Sequence, residues 1–390
     1  MSLWPVSKLK DAEIDILDCE HKTPPALSDG APYVAIPNII DGRIRLEDCR
    51  RISIENLNEW TRRTRPQGGD LVITRRGRVG DTAPIPNGVN CAMGQNLVIA
   101  RSSGNQVDPS FLRWATRTPQ WRHEVDRLTN VGAIFNSLNV RDISNLRIPL
   151  PPIGEQRKIA AVFDAIDEKM TLNSSIVATA EALSDSAMKL MLTTTTTTAV
   201  PLSATARFVN GKAFTKEATG AGRVVIRIAE LNSGLSRSTV YSEEVVSDDY
   251  MARSGDILFA WSGSLTLHRW YREQAIINQH IFKVIPSSNY PRWLVFQLIK
   301  QKLQAFKNIA ADKATTMGHI QRKHLDEPVP IPDSEDIQSW DSALSALWNR
   351  ALAAEQESEQ LSTLRDTLLP QLLSGRLRLR ETAKRVEDVL

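Results

Sequence analysis

Apolar positions along this chain follow two patterns that take turns. Short alternating runs at 33–36, 70–74 and 96–100 read as strands, divided by turn signals at Asp41-Gly42, Gly68-Gly69 and Pro86-Asn87-Gly88. A helix is predicted from Pro109 to about Leu128. From Glu155 to Leu192 there is no Pro or Gly, and Ile159, Phe163, Ile166, Met170, Val177, Ala180, Ala187 and Met191 recur at three- and four-residue steps, with Asn173 and Ser184 in the two gaps. That is a seam of about 3.5 residues per repeat, on a helix about 55 Å long. It begins after Pro151-Pro152, and it should end at the six threonines Thr193 to Thr198, a polar β-branched run that predicts a crossing loop.

The same order then recurs. Strands are predicted at 223–228, 256–260 and 280–285, a helix at 291–308, and a second seam at 334–373 through Ile337, Trp340, Leu344, Leu347, Ala351, Ala354, Leu361, Leu364 and Leu368. Gly375 is placed to end that helix, and Pro370 to bend its last turn. Individual motifs match as well. Gly69-Asp70-Leu71-Val72-Ile73 answers to Gly255-Asp256-Ile257-Leu258-Phe259, Gln95-Asn96 to Gln279-His280, and Ile148-Pro149-Leu150-Pro151 to Val329-Pro330-Ile331-Pro332. The shift between copies falls in one direction, from 192 at Gly42/Gly234 through 186 and 184 to 181 at the proline motifs. An ordered drift of this kind marks an internal duplication with a few deletions in the second copy. The expected fold is α+β: two similar mixed α/β domains separated by a pair of long antiparallel helices, related by a pseudo-two-fold repeat. The expected boundaries are 1–152 and 198–332 for the two domains, 153–197 and 333–380 for the helices, and 381–390 for a charged tail.

Composition excludes more than it selects. At 390 residues and 42% hydrophobic the chain suits a multi-domain globular protein, and no apolar run is long enough to cross a bilayer. The opening Met1-Ser2-Leu3-Trp4-Pro5 lacks a signal-peptide layout, and Cys19, Cys49 and Cys91 form no CxxC pair. A cytoplasmic protein with reduced thiols is expected. Phosphate-loop, HExxH, GxSxG and GxGxxG motifs are missing, as is the Asn-Pro-Pro-aromatic motif of amino-methyltransferases. The six histidines offer no ligand pair at helical spacing, so no metal and no catalytic residue is assigned.

The positive signal is basic and polar. Ten arginines and five acidic residues lie between Arg43 and Arg78, with Arg75, Arg76 and Arg78 just past a predicted strand. Guanidinium groups there suit phosphate oxygens, and a solvated face with local ion pairs is the competing reading. Trp261, His268 and Arg269 interleave aromatic and basic residues, as either a groove-contacting element or a hairpin with cross-strand pairs would. Gln95, Asn96, Gln279 and His280 stand at strand starts, where amides can meet an adenine edge. Asn136, Asn139 and Arg141 parallel His319, Arg322 and Lys323, either as a backbone-contacting loop or as the capped start of a helix. Lys212 and Lys313 complete the candidate DNA-binding set.

The order of parts resembles the specificity subunit of type I restriction–modification systems, over about residues 4 to 378. The run Ile148-Pro149-Leu150-Pro151-Pro152-Ile153-Gly154-Glu155-Gln156-Arg157-Lys158-Ile159 resembles that family's central conserved region, and Leu368-Leu369-Pro370-Gln371-Leu372-Leu373-Ser374-Gly375-Arg376-Leu377 its distal one. Asn210-Gly211-Lys212-Ala213-Phe214 resembles the opening of a target-recognition domain. The resemblance implies a non-catalytic subunit whose two domains each read one part of a split double-stranded DNA target, with the helices setting the unread spacer. It also implies that the helices dock two methyltransferase subunits, which carry S-adenosylmethionine, and that two restriction subunits using ATP and Mg can join. Candidate docking residues are Glu155, Gln156, Ile159, Phe163, Leu344, Leu361 and Leu368. The second copy departs from the pattern, with Asp333-Ser334-Glu335-Asp336 in place of Pro152-Ile153-Gly154-Glu155. The competing expectations are a coiled-coil scaffold with non-specific DNA binding, and a self-sufficient nuclease or methyltransferase.

Overall fold

The computed structural model describes residues 3–132, 136–216, 218–312 and 318–377, and it divides into two compact units. One comprises Met1–Glu168 with Leu361–Leu390, the other Lys169–Gln360.

The first unit is built on a four-stranded antiparallel sheet of β1 (Ile14–Asp18), β2 (Leu71–Thr74), β3 (Thr82–Pro84) and β4 (Leu97–Ser102), in the order β1-β4-β2-β3. Its middle strands are unbroken apolar runs, Leu71-Val72-Ile73 and Leu97-Val98-Ile99, buried along both faces. A smaller sheet sets Ala31–Val34 antiparallel to Arg50–Ile52 and parallel to Ala92–Met93. The second unit repeats this plan. Its sheet is β5 (Ala206–Asn210), β6 (Ile257–Ala260), β7 (Thr266–Arg269) and β8 (Ile281–Pro286), in the order β5-β8-β6-β7. Arg223–Ile226 is again antiparallel to one neighbour, Val240–Ser242, and parallel to another, Ala275–Ile277. Each proline motif is itself a strand: Arg147–Pro149 pairs with Val6–Lys8, and Pro328–Pro332 with Thr197–Pro201.

Two local expectations are corrected. The helix expected over 109–128 is two helices, Pro109–Ala115 and Pro119–Leu128. Pro119 forces the residue before it out of helical geometry, and the Thr118 hydroxyl caps the new start by accepting from the Trp121 amide. The threonine run is not a loop throughout. The first long helix, Ile153–Thr194, reaches into it, and Thr197 and Thr198 are already strand, a conformation that β-branched side chains favour.

The second long helix spans Ser334–Leu373, with Pro370 in its last turn. Gly375, at φ 73°, closes it, because the Gly375 and Arg376 amides turn back to the Leu372 and Gln371 carbonyls. Within the second unit the two long helices run antiparallel. Met188 and Met191, late in the first, share a core with Ile337 and Leu344, early in the second. Asn173, earlier in the first, donates to Glu357, later in the second, at 2.8 Å.

Candidate nucleic-acid interface

Past the Gly-Asp strand of each unit, three segments are joined by the same hydrogen bonds into a cradle. In the first unit the Arg75 amide donates to the Asn96 carbonyl (2.8 Å), the Leu138 amide donates to the Arg75 carbonyl (2.9 Å), and Arg76 forms a β-bridge with Ser137. In the second the Trp261 amide donates to the His280 carbonyl (3.1 Å), the Ile320 amide to the Trp261 carbonyl (3.1 Å), and Ser262 bridges His319. Backbone angles match too. Asn96 and His280 are left-handed at φ 70° and 74°, and Gly77 and Gly263 at 66° and 65°. Asn and His tolerate this conformation better than most residues, and it leaves the preceding Gln95 and Gln279 exposed.

A residue from the neighbouring edge strand supports each cradle. Asp18 Oδ1, at the end of β1, lies 3.7 Å from Arg75 Nη1, and Arg75 Nε also donates to the Leu138 carbonyl. Asn210 Oδ1, at the end of β5, accepts from Trp261 Nε1 at 2.7 Å. The Trp261 ring stacks on Phe282 at 5.7 Å and meets His280 at 5.2 Å and His319 at 6.3 Å. Among the described residues, His280 Nδ1 is buried without a hydrogen-bond partner. Asp18, Ser137, Asn210 and Ser262 were not among the candidates read from sequence. The shift of 192 that aligns Gly42 with Gly234 also aligns Asp18 with Asn210, and it could have found that pair.

The predicted DNA-contacting residues divide into three groups. Arg76, Gln95, Gln279 and His319 are exposed at the cradles, and Asn96, His280 and Trp261 are half-buried there. Asn136, Asn139, Arg141, Arg322 and Lys323 are exposed on the segments that follow. Asn139 takes the N-cap position of the short helix Val140–Ile143, as the helix-start reading expects, and its amide donates to Asp142. Lys212 is exposed, with Nζ 4.5 Å above the Tyr250 ring, and its carbonyl accepts from the Gln279 amide. Lys313 lies outside the described residues.

Three candidates hold partners within the chain, and of these Arg269 is buried, His268 half-buried and Arg78 exposed. Arg78 donates to the Ile36 and Ile39 carbonyls, at 2.7 and 2.5 Å. His268 sits on β7 opposite Leu258 and contacts Asn232, and burial pushes its imidazole pKa down. Arg269, next along that strand, is 6% exposed, pairs with Glu355 at 2.7 Å and lies over the Trp348 ring. Of the two readings of this aromatic-basic run, the structure selects the hairpin, because His268 and Arg269 pair across to β6.

Six of the seven docking candidates are taken up by the chain itself, and Glu155 stays half-exposed. Gln156 is fully buried. Its Oε1 accepts from the Asp108 amide, and its Nε2 donates to the Gln106 and Pro151 carbonyls, all within 2.9 Å. Ile159, Phe163, Leu344, Leu361 and Leu368 are buried inside the chain, with Phe163 against Trp114. Glu155 pairs with Lys158 on its own helix. The seam is therefore filled by the chain itself. A second apolar stripe on the first long helix is not, since Leu172, Leu183 and Leu190 are 54%, 52% and 49% exposed. Steps of eleven and seven residues keep them on one helix face. The signal was present in the sequence as the leucines left over once the first seam was assigned.

Among the described residues, no cluster of His, Cys, Asp or Glu could hold a metal, and no helix is long and apolar enough to cross a membrane.

Known proteins resemble this chain in sequence and fold. The chain is 29% identical over 84 residues to the protein named as the MjaX specificity subunit of a type I restriction enzyme in Methanocaldococcus jannaschii, covering 21% of this chain and 20% of that one. It is 26% identical over 134 residues to the type I restriction enzyme EcoBI specificity subunit of Escherichia coli, covering 34% and 28%. The match thus spans less than a third of the length of either relative. The crystal structure of a type I restriction–modification S subunit from M. genitalium superposes with a TM-score of 0.60 at 15% identity, over 95% of this chain and 96% of the other, and so shares its fold. The model of the type I restriction modification DNA specificity domain matches twice, over residues 2–182 and 204–361, and the chain belongs to that family.

Proposed function

We propose that this chain selects the DNA target of a type I restriction–modification complex, each unit reading one half of a split site, and that it performs no chemistry itself. The observation that carries this reading is the duplicated cradle: one backbone arrangement, made twice, with polar side chains exposed at its rim. Methyltransferase subunits, carrying S-adenosylmethionine, would dock on the helices, and restriction subunits using ATP and Mg would join them. With the seam filled internally, the exposed leucines 172, 183 and 190 are the favoured docking face. Exposed arginines of the first unit, such as Arg45, Arg62, Arg63 and Arg65, would supply phosphate contacts, so affinity should fall steeply with added salt.

The test is co-expression with the partner methyltransferase, followed by genome-wide mapping of methylated adenines. One split motif is the expected result. Methylation without a motif would instead favour a scaffold that binds DNA without reading it, and activity of the purified chain alone would overturn the non-catalytic assignment.

A further inference from the structure

The cradles keep their backbone and change their side chains. Arg75 corresponds to Trp261, Arg76 to Ser262, Asn96 to His280 and Ser137 to His319, each pair fixed by the same hydrogen bond or bridge. The supporting residue changes with its partner: Asp18 beside the Arg75 guanidinium, Asn210 beside the Trp261 indole. A few residues away the repeat keeps its chemistry, as Gly69-Asp70-Leu71 against Gly255-Asp256-Ile257 shows. Stability alone does not account for this contrast, because both sets of side chains sit on one scaffold. Phosphate contact does not account for it either. Phosphates are the same at every half-site, and a cradle built for them would hold a cation in both copies. At the bridging position only the first does, with Arg76 against the neutral, buried Ser262, whereas the exposed cation of the second cradle, Lys212, stands on a different segment. Base edges do differ between half-sites, and they call for different donors and acceptors.

We infer that the cradle sets the bases read by each unit, through Arg76 and Gln95 in the first and through Gln279, His280 and His319 on the Trp261 shelf in the second. This rests on the DNA-reading function proposed above. The chemistry differs accordingly. The exposed Arg76 fork suits the O6 and N7 of a guanine, and the amides of Gln95 and Gln279 suit the N6 and N7 of an adenine. In the second unit two imidazoles beside the Trp261 ring give an aromatic reader in place of the arginine.

The experiment is selection from a randomised duplex pool by the complex of this chain with its methyltransferase subunit, comparing wild type with Arg76→Ala, His319→Ala and Arg63→Ala. Arg76→Ala should relax base preference at one or two positions of one half-site, by about tenfold or more, and leave the other half unchanged. His319→Ala should do the reverse. Arg63, exposed in the arginine-rich stretch, is the phosphate-contact control: its loss should lower affinity for all sequences and alter neither motif. A wild-type complex that selects a split motif while both cradle variants select the same one would overturn the inference. So would an Arg76→Ala variant that loses affinity equally for all sequences with a shallower salt dependence, the behaviour of a phosphate contact. A wild type that selects no motif would instead sink the proposed function itself.

Discussion

The two units solve one structural problem with different chemistry, and the difference shows what the Gly-Asp motif is for. In both, the aspartate after the left-handed glycine closes its own turn: Asp70 accepts from the Gln67 amide and Asp256 from the Arg253 amide, each at 2.8 Å. In both it also holds a cation projecting from the neighbouring strand. Asp70 takes two bonds from Arg101 of β4, at 2.7 and 2.6 Å, and that guanidinium also reaches the Arg65 carbonyl and keeps 27% of its side chain exposed. Asp256 lies 3.1 Å from Lys283 of β8, whose side chain is 8% exposed and whose ammonium donates to the Asp248 and Met251 carbonyls. The motif is thus a turn lock that places the cradle strand, and the second copy has sunk the cation of its lock further from water, while its aspartate is the more exposed of the two, at 17% against 4%.

That contrast can be broken most forcefully by removing the acid. Asp256→Asn leaves an ammonium buried with two carbonyls and no counter-ion, a change that costs about 3–5 kcal/mol. Asp70→Asn should cost clearly less, since Arg101 can turn to solvent. Urea midpoints of the two variants measure the difference, and equal losses would show that the depth of the lysine does not matter.

A second contrast lies where each long helix starts. Gln156 of the first copy falls, by the 181-residue shift of the proline motifs, on Ile337 of the second. Gln156 ties the helix to three backbone groups, whereas Ile337 packs into a core with Leu344 and Trp348. Gln156→Ile therefore leaves one amide and two carbonyls unpaired. Each orphan that water cannot reach costs about 1–3 kcal/mol, and partial rescue by water brings the expected loss to about 2–3 kcal/mol. Thermal unfolding checks it. A variant as stable as the parent would mean that the start of the helix is held by apolar packing in both copies.

These contrasts also explain what the sequence could and could not reveal. Duplication, the central strands and both seams were legible because they rest on periodicity, which local residues carry. Gln156 stood out as part of a motif, but nothing along the chain says that its amide points into the protein and not toward a partner. Arg269 was misread for the same reason, and the internal partners of the exposed Arg78 and the half-buried His268 were missed. A guanidinium or imidazole shows its charge in the sequence, whereas its partners, Ile36, Asn232 and Glu355, lie 42, 36 and 86 residues away. The cradle was half visible: its exposed amides were found, and the support from Asp18 and Asn210 was not.

The smallest expected effect separates the units by the sign of their response to pH. Asp167 of the first long helix is pushed up by burial, but Arg43 at 2.6 Å and Arg113 together outweigh that and hold its carboxyl below the usual 3.8. A carboxylate that binds its proton less tightly when folded adds stability above pH 3.8 and loses it as pH falls through its lowered value. Glu355 of the second long helix is raised above 4.5 by burial and by Glu181, which prevail over its bond to Arg269. The folded chain then holds the proton longer than the unfolded chain, so this group favours folding below pH 4.5 and the benefit is lost as pH rises through its folded value. Melting temperature against pH, for Asp167→Asn and Glu355→Gln, reads both. Asp167→Asn should flatten the fall in stability on the acid side of pH 3.8. Glu355→Gln should remove a decline on the alkaline side of pH 4.5. If both variants flatten the same limb, the depth of burial beside Arg269 does not set the second unit apart, and its arginine balances its glutamates as fully as Arg43 and Arg113 balance Asp167 in the first.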